Sequence, residues 1–338
     1  MGVRTDASRP QDHDDGRSMG HRPIQEPPEL AIKLAGGYPF RQVERLIRDL
    51  DPLATLETPC QLRLDLGGLA FIGASGLAWL IAVVRRAEDL DLIHGGSVVM
   101  PRSPLTRHYL MRMDFLTTLD LATVDDEPFD RHQAIGFRPC RRYRDDASCH
   151  SVVRELTEAL TESIETDDVA RVGIRICLDE LAENVIFHAD TALGGFVIAQ
   201  RLRRRPEFEI AIADLGIGIR QSLQKNPDFA DIRDDVTAIA RALQPRVSST
   251  PERNGGFGLA VSKLLLAANG GTLVVRSGNG MVQTGAREHK QRQPIALPGT
   301  LIALRARTDR PLNVQEVYRH LKDDFDARMR ERGLLDED

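Results

Sequence analysis

No cysteine pair spaced for a metal, no long apolar run and no surplus of positive charge occur in this 338-residue chain. Each absence removes a class of function. Cys60, Cys140, Cys149 and Cys177 form no CxxC pair and have no companion histidine cluster, which argues against structural zinc and for reduced cytosolic thiols. The longest apolar run, residues 77–84, is far too short to span a bilayer. The first residues are polar and proline-rich, without the basic segment and apolar core of a secretory signal, so a cytoplasmic protein is expected. A formal net charge of -5 argues against broad nucleic-acid binding, which needs a basic face.

What is present fits about two globular domains. Residues 1–28 are rich in Asp, Arg, Gly and Pro and poor in apolar side chains. They bury too little surface to offset ordering entropy, so disorder is expected there, with His13 and His21 incidental. From Leu30 the texture changes. Residues 30–34 alternate like a strand, and 41–50 carry helical spacing (Val43, Leu46, Ile47, Leu50) behind Pro39. Residues 62–66 form a second strand broken by Gly67-Gly68; 76–90 read as helix, 97–100 as strand and 105–116 as helix. Strands alternating with helices imply an α/β sandwich on a mainly parallel sheet.

The segment Leu64-Asp65-Leu66-Gly67-Gly68-Leu69-Ala70-Phe71-Ile72-Gly73-Ala74-Ser75-Gly76-Leu77, followed by Gly95-Gly96-Ser97-Val98-Val99-Met100 and the 105–116 helix, resembles the central part of STAS domains. That is the fold of anti-anti-sigma factors, and the resemblance covers residues 29–122. It implies a turn of the form Asp-Ser-[Ser/Thr]-Gly-[Leu/Ile] whose first Ser opens a helix and accepts phosphate. Here Gly73 and Ala74 stand in place of the Asp and that Ser. Ala has no hydroxyl to phosphorylate, and Ser75 suits a helix N-cap, so packing or docking is the expected role.

Residues 123–148 lack periodicity and contain Pro128, Gly136 and Pro139; a linker is expected, with one strand around Phe137. A helix is expected over 151–164, with His150 just ahead of it as a plain helix-start residue. The second half of the chain is organised around the helix centred on Asp179-Glu180-Leu181-Ala182-Glu183-Asn184-Val185-Ile186-Phe187-His188-Ala189. Ile174, Leu178, Leu181 and Val185 share an apolar stripe, while Glu180, Asn184 and His188 align at intervals of four on a neighbouring face. An Asn oxygen suffices as the protein anchor of Mg²⁺, which keeps waters and phosphates as its other ligands. A neighbouring carboxylate can act as general base.

Downstream, strands over 196–199 and 208–213 lead into Asp214-Leu215-Gly216-Ile217-Gly218. This turn lets backbone approach a flat ligand, with a carboxylate to accept from an exocyclic amine. It lacks the third glycine of a dinucleotide fingerprint, and no Walker A lysine is present. Residues 220–253 are long and polar with a helix near 234–243, read as a mobile lid or a variable surface loop. Asn254-Gly255-Gly256-Phe257-Gly258-Leu259 opens a helix whose N–H groups suit phosphates. Next come a strand, a Gly/Gln-rich hairpin loop over 277–298 and a last strand at Gly299-Thr300. A charged amphipathic helix over 312–333, begun by Asn313 with Glu316 three later, closes the chain.

In this order, ExxxN on a helix, DxGxG, lid, GxGL and GT resemble the GHKL ATPase domain, the Bergerat fold of histidine kinases, gyrase and anti-sigma serine kinases, over 149–308. The resemblance implies an α/β sandwich with a mixed sheet. It implies Asn184 on Mg²⁺, Glu180 as base, Asp214 on the adenine amine and Gly216 and Gly218 lining the base pocket. Gly256, Phe257, Gly258 and Leu259 would form the phosphate loop, with Thr300 behind the adenine and His188 near the phosphates or in a structural hydrogen bond. Two functions are expected on this basis. One is a Mg-ATP-dependent serine/threonine kinase of the anti-sigma type acting on a separate signalling protein. The other is an ATP-gated interaction module with little or no phosphotransfer. A homodimer is compatible with either, and a sensor histidine kinase ranks last.

Overall fold

The computed structural model describes residues 27–40, 42–119, 122–123, 140–163, 168–202, 205–249 and 256–331. The disorder expected before residue 27, the strand sought near Phe137 and the Asn254-Gly255 pair lie outside these. The first unit runs β1 (Glu29–Tyr38), α1 (Val43–Ala54), β2 (Cys60–Ile72), α2 (Ala74–Asp89), β3 (Ile93–Val99), α3 (Pro104–Arg112), α4 (Phe115–Leu119) and β4 (Ala122–Thr123). Its four strands lie in order β1-β2-β3-β4, all pairings parallel. The helix expected over 105–116 is two helices, because Asp114 takes a positive φ of 50° at the break.

The second unit runs β5 (Arg141–Tyr143), α5 (Asp146–Ser163), α6 (Asp168–His188), β6 (Gly195–Leu202), β7 (Glu207–Asp214), α7 (Gly218–Leu223), α8 (Asp235–Ala242), α9 (Gly258–Asn269), β8 (Thr272–Thr284), β9 (His289–Arg307) and α10 (Val314–Glu331). The sheet order is β5-β6-β7-β9-β8, and every pairing is antiparallel. A mixed sheet was the expectation. β7 and β8 do run in the same direction across the intervening helices, but β9 inserts between them, so no two parallel strands are neighbours. Residues 277–298 are not a loop either. Both strands of the hairpin run on past the core, and β9 begins with a largely exposed stretch, which is why no apolar alternation marks it.

Helix starts are set by local chemistry. α5 begins earlier than its apolar spacing indicates because the Asp145 carboxylate accepts the Ser148 N–H at 2.7 Å. His150 therefore lies within the helix, its Nδ1 2.8 Å from the Asp146 carbonyl. Asp234 caps α8 by accepting from Thr237 N–H at 2.9 Å, and Asn313 caps α10 by accepting from Glu316 N–H at 3.2 Å.

Alternation along the second sheet decides how the units meet. Phe196, Ile198, Ala211, Ala213, Leu301 and Ala303 point to one face and join the core built around α1 and α2. Val197, Ala199, Ile210, Ile212, Ile302 and Leu304 point to the other, under α5, α6 and α9. The layers are thus parallel sheet, α1 and α2, antiparallel sheet, then helices. α2 is wedged between two sheets, and residues 74–84 are all buried; a helix apolar on every side needs such a setting. Arg276 of β8, fully buried, adds a polar tie: Nε donates to Glu44 of α1 at 2.8 Å, and its other nitrogens donate to the carbonyls of Gly278, Gly280 and Ile295. No helix among the described residues is long and apolar enough to cross a membrane.

Candidate functional site

One cleft of about 750 Å³, counting its open mouth, lies between α6, the β7 and β9 strand ends and the start of α9. Leu181, Val185, Ile212, Ile219 and Ile302 give it an apolar lining, and Asn184, His188, Asp214 and Thr300 bring polar groups to it. The apolar stripe of α6 continues into this wall, so the residues that bury the helix also carry its polar face to the opening.

Asn184 donates its amide N–H to the Glu180 carbonyl one turn back at 2.5 Å. That commits the nitrogen and leaves Oδ1 as the acceptor for a cation. No group of three His, Cys, Asp or Glu side chains able to hold a metal exists among the described residues. A hard cation here would take Asn184 Oδ1 and complete its shell with phosphate and water oxygens, the habit of Mg²⁺.

Asp214, 5% exposed, ends β7 opposite Thr300 of β9. Its Oδ1 accepts the Gly216 N–H at 2.9 Å. Burial pushes its pKa up to about 6, against the hydrogen bonds from Gly216 and Thr300 that favour the charged form. Gly218 lines the cleft, but Gly216 does not. Gly216 sits against the Ala189 carbonyl so closely that a Cβ would collide with it, and that carbonyl accepts from Ile217 N–H at 2.8 Å. The first glycine of the turn is thus a packing requirement of the α6 C-terminus rather than part of the cleft wall.

Gly256, Gly258 and Leu259 line the cleft at the start of α9. Phe257 turns away, its ring 5.8 Å from the Arg246 guanidinium. A Cβ on Gly258 would strike the Glu180 carboxylate, so Glu180 stands behind the α9 N-terminus rather than in the cleft wall. Burial first, then the neighbouring Glu183 and Asp179, raise its pKa, the direction a general base at neutral pH requires.

His188 Nδ1 is hydrogen-bonded to Ser249 Oγ at 2.9 Å, and Ser222 Oγ donates to Ser249 Oγ at 3.3 Å. Burial lowers the His188 pKa, so the ring acts as a neutral link between α6 and the chain that covers the cleft. The structural hydrogen bond expected as one role of His188 is formed, and the residue also lines the cleft. Residues 220–249 are not a loose loop: Leu223, Ile232, Ala238 and Ala242 make a small core of their own. Sequence reasoning missed Ser222, Ser248, Ser249 and Ser277. Ser277 Oγ accepts from Ile219 N–H at 3.0 Å and donates to the Gly299 carbonyl at 2.9 Å, tying the turn to the sheet. Serines in polar stretches carry no pattern that would have singled them out.

Ala74 and Ser75, at the start of α2, are each 1% exposed, and the Ser75 hydroxyl has no hydrogen-bond partner among the described residues. Comparison with family models, curated proteins and solved structures finds no match.

Proposed function

We propose that this chain is a Mg-ATP-binding regulatory protein of the GHKL type carrying a STAS-like first unit, and that it phosphorylates a serine or threonine hydroxyl of a separate signalling protein. The observation that carries the reading is the convergence of Asn184, Asp214, Thr300 and Gly258 on one apolar-floored cleft. Asp214, ionised above about pH 6, would accept from the adenine amine between Gly218 and Thr300. The free N–H groups opening α9 would face the phosphates. Mg²⁺ on Asn184 would supply charge neutralisation at the phosphates. Glu180, beside the α9 N-terminus, would take the proton of the partner's hydroxyl as its oxygen bonds to the γ-phosphorus and ADP departs.

A second reading is an ATP-gated interaction module. The place of Glu180 behind Gly258 and the contact of α2 with the sheet that floors the cleft favour it. Calorimetry with Mg-ATP tests the shared part: wild type binds, and Asn184→Ala loses binding with its melting temperature unchanged. Equal affinity in the two proteins refutes the site. Incubation with γ-labelled ATP and cell extract separates the readings, because the kinase labels a partner and Glu180→Ala does not.

A further inference from the structure

A second cavity, about 1170 Å³ counting its mouth, lies at the seam between the units. Thr55 at the end of α1 and Arg86 of α2 form one wall; the 216–221 turn with Ser277 and Asn279 of β8 forms the other. Four charged side chains line it, Arg86, Arg220, Glu57 and Asp235. Arg220 Nε and Asp235 form an ion pair at 2.9 Å, and the second Asp235 oxygen accepts the Asn279 N–H at 2.8 Å. Glu57 is exposed at the rim. Arg86 Nη1 is shut off from solvent and has no hydrogen-bond partner among the described residues. A guanidinium nitrogen left without a partner at a partly buried site is costly, and the planar fork of the group matches carboxylate or phosphate.

We propose that this seam is a binding site for a small anion, a carboxylate or a phosphate, anchored by Arg86, and that its occupant tunes the neighbouring cleft. The geometry supplies the coupling. Gly218 lines both cavities. The same turn holds Asp214 through Gly216 N–H, and Ser277 at the seam holds Ile219 N–H. An anion drawing Arg86 toward this wall therefore acts on the backbone that positions Asp214. The binding half stands without any nucleotide; the tuning half rests on the Mg-ATP reading.

The full-length protein is titrated by calorimetry with succinate and, separately, with inorganic phosphate. A non-hydrolysable Mg-ATP analogue is then titrated with and without each anion. One anion is expected to bind, identifying the class. Arg86→Gln should weaken it about tenfold or more, the loss of one charge-assisted hydrogen bond. Thr55→Glu, which sets a competing negative charge on the same wall as Arg86, should do the same and serves if Arg86→Gln fails to fold. The anion should change the affinity for the analogue by about fivefold or more. No binding of either anion, or equal binding by wild type and variants, overturns the site. Binding through Arg86 with unchanged nucleotide affinity overturns the tuning. Anion binding in a protein that takes no nucleotide keeps the site and removes the Mg-ATP reading.

Discussion

α2 and α6 are the two helices on which resemblance to signalling families would place chemistry, and the fold treats them in opposite ways. α2 is buried on all sides between two sheets, and its first turn, where a phosphoacceptor would stand, holds Ala74 and an enclosed Ser75. α6 buries one stripe and carries Asn184 and His188 to an open cleft. A helix that spends every face on packing has none left for a ligand, whereas an amphipathic helix at the end of a sheet can do both. In this chain the first unit backs the second, and the open cleft belongs to the second.

The sharpest way to break the comparison is to remove the centre of the wedge. Trp79 is the largest side chain with no exposure, so Trp79→Ala should cost about 3–5 kcal/mol. Because the core around α2 includes residues of both sheets, urea unfolding should remain one transition and shift as a whole. Two separable transitions, with only one displaced, would mean that the units are not mechanically joined through α2.

Next in size is the carboxyl that the cleft keeps buried. Asp214 has its pKa raised from 3.8 to about 6 by burial. The folded state therefore holds the proton more tightly than the unfolded chain. Its contribution to stability is present below about pH 4 and is lost as pH rises through 6. At pH 8 the ionised group costs about 2–3 kcal/mol. Asp214→Asn should be more stable than wild type by that order at pH 8, with the gap closing near pH 4; nucleotide affinity of the wild type should improve as pH rises through 6. A stability difference that does not change with pH would place the carboxyl in a wetter setting than the cleft provides.

A smaller effect sharpens how the units are tied. Glu44 is partly exposed, and Arg276 keeps three carbonyl partners without it. Glu44→Ala should cost about 2 kcal/mol, less than the ~3–5 kcal/mol for breaking a fully enclosed pair. An Arg276→Met, Glu44→Ala double variant should recover part of that loss, because no unpaired charge remains. Denaturant midpoints of the wild type, Glu44→Ala, Arg276→Met and the double variant give the coupling.

Much of this was legible in the sequence, and the boundary between what was and was not is physical. The periodicity of α6 and the cap at Asn313 are local, and they appear where the residues indicate. The spacing of Asn184, Asp214, Gly258 and Thr300 also pointed to residues that line one cleft. The 77–84 run showed only that a helix was apolar all round; that its second covering is the antiparallel sheet depends on contacts more than a hundred residues away. Phe196-Val197-Ile198-Ala199 is apolar at both parities, which does signal a strand covered on both faces. Gly216 and Gly218 look equivalent in a DxGxG turn, yet one packs on Ala189 and the other lines the cleft, a distinction made by the end of α6.

The smallest expected effect bears most directly on the α2 side of the comparison. The Ser75 hydroxyl is enclosed and unpartnered among the described residues, a state that costs about 1–3 kcal/mol relative to a satisfied group. Ser75→Ala removes that penalty and leaves only a small void, which costs up to about 1 kcal/mol. The melting temperature should hold or rise slightly, whereas replacing a Ser that caps its helix would lower it. Mass spectrometry after incubation with Mg-ATP should find no phosphate on Ser75, since a kinase cannot reach a hydroxyl between α2 and its neighbours. Phosphate on Ser75 would require α2 to leave the sheet that floors the cleft, and the wedge would then be a moving part rather than a fixed one.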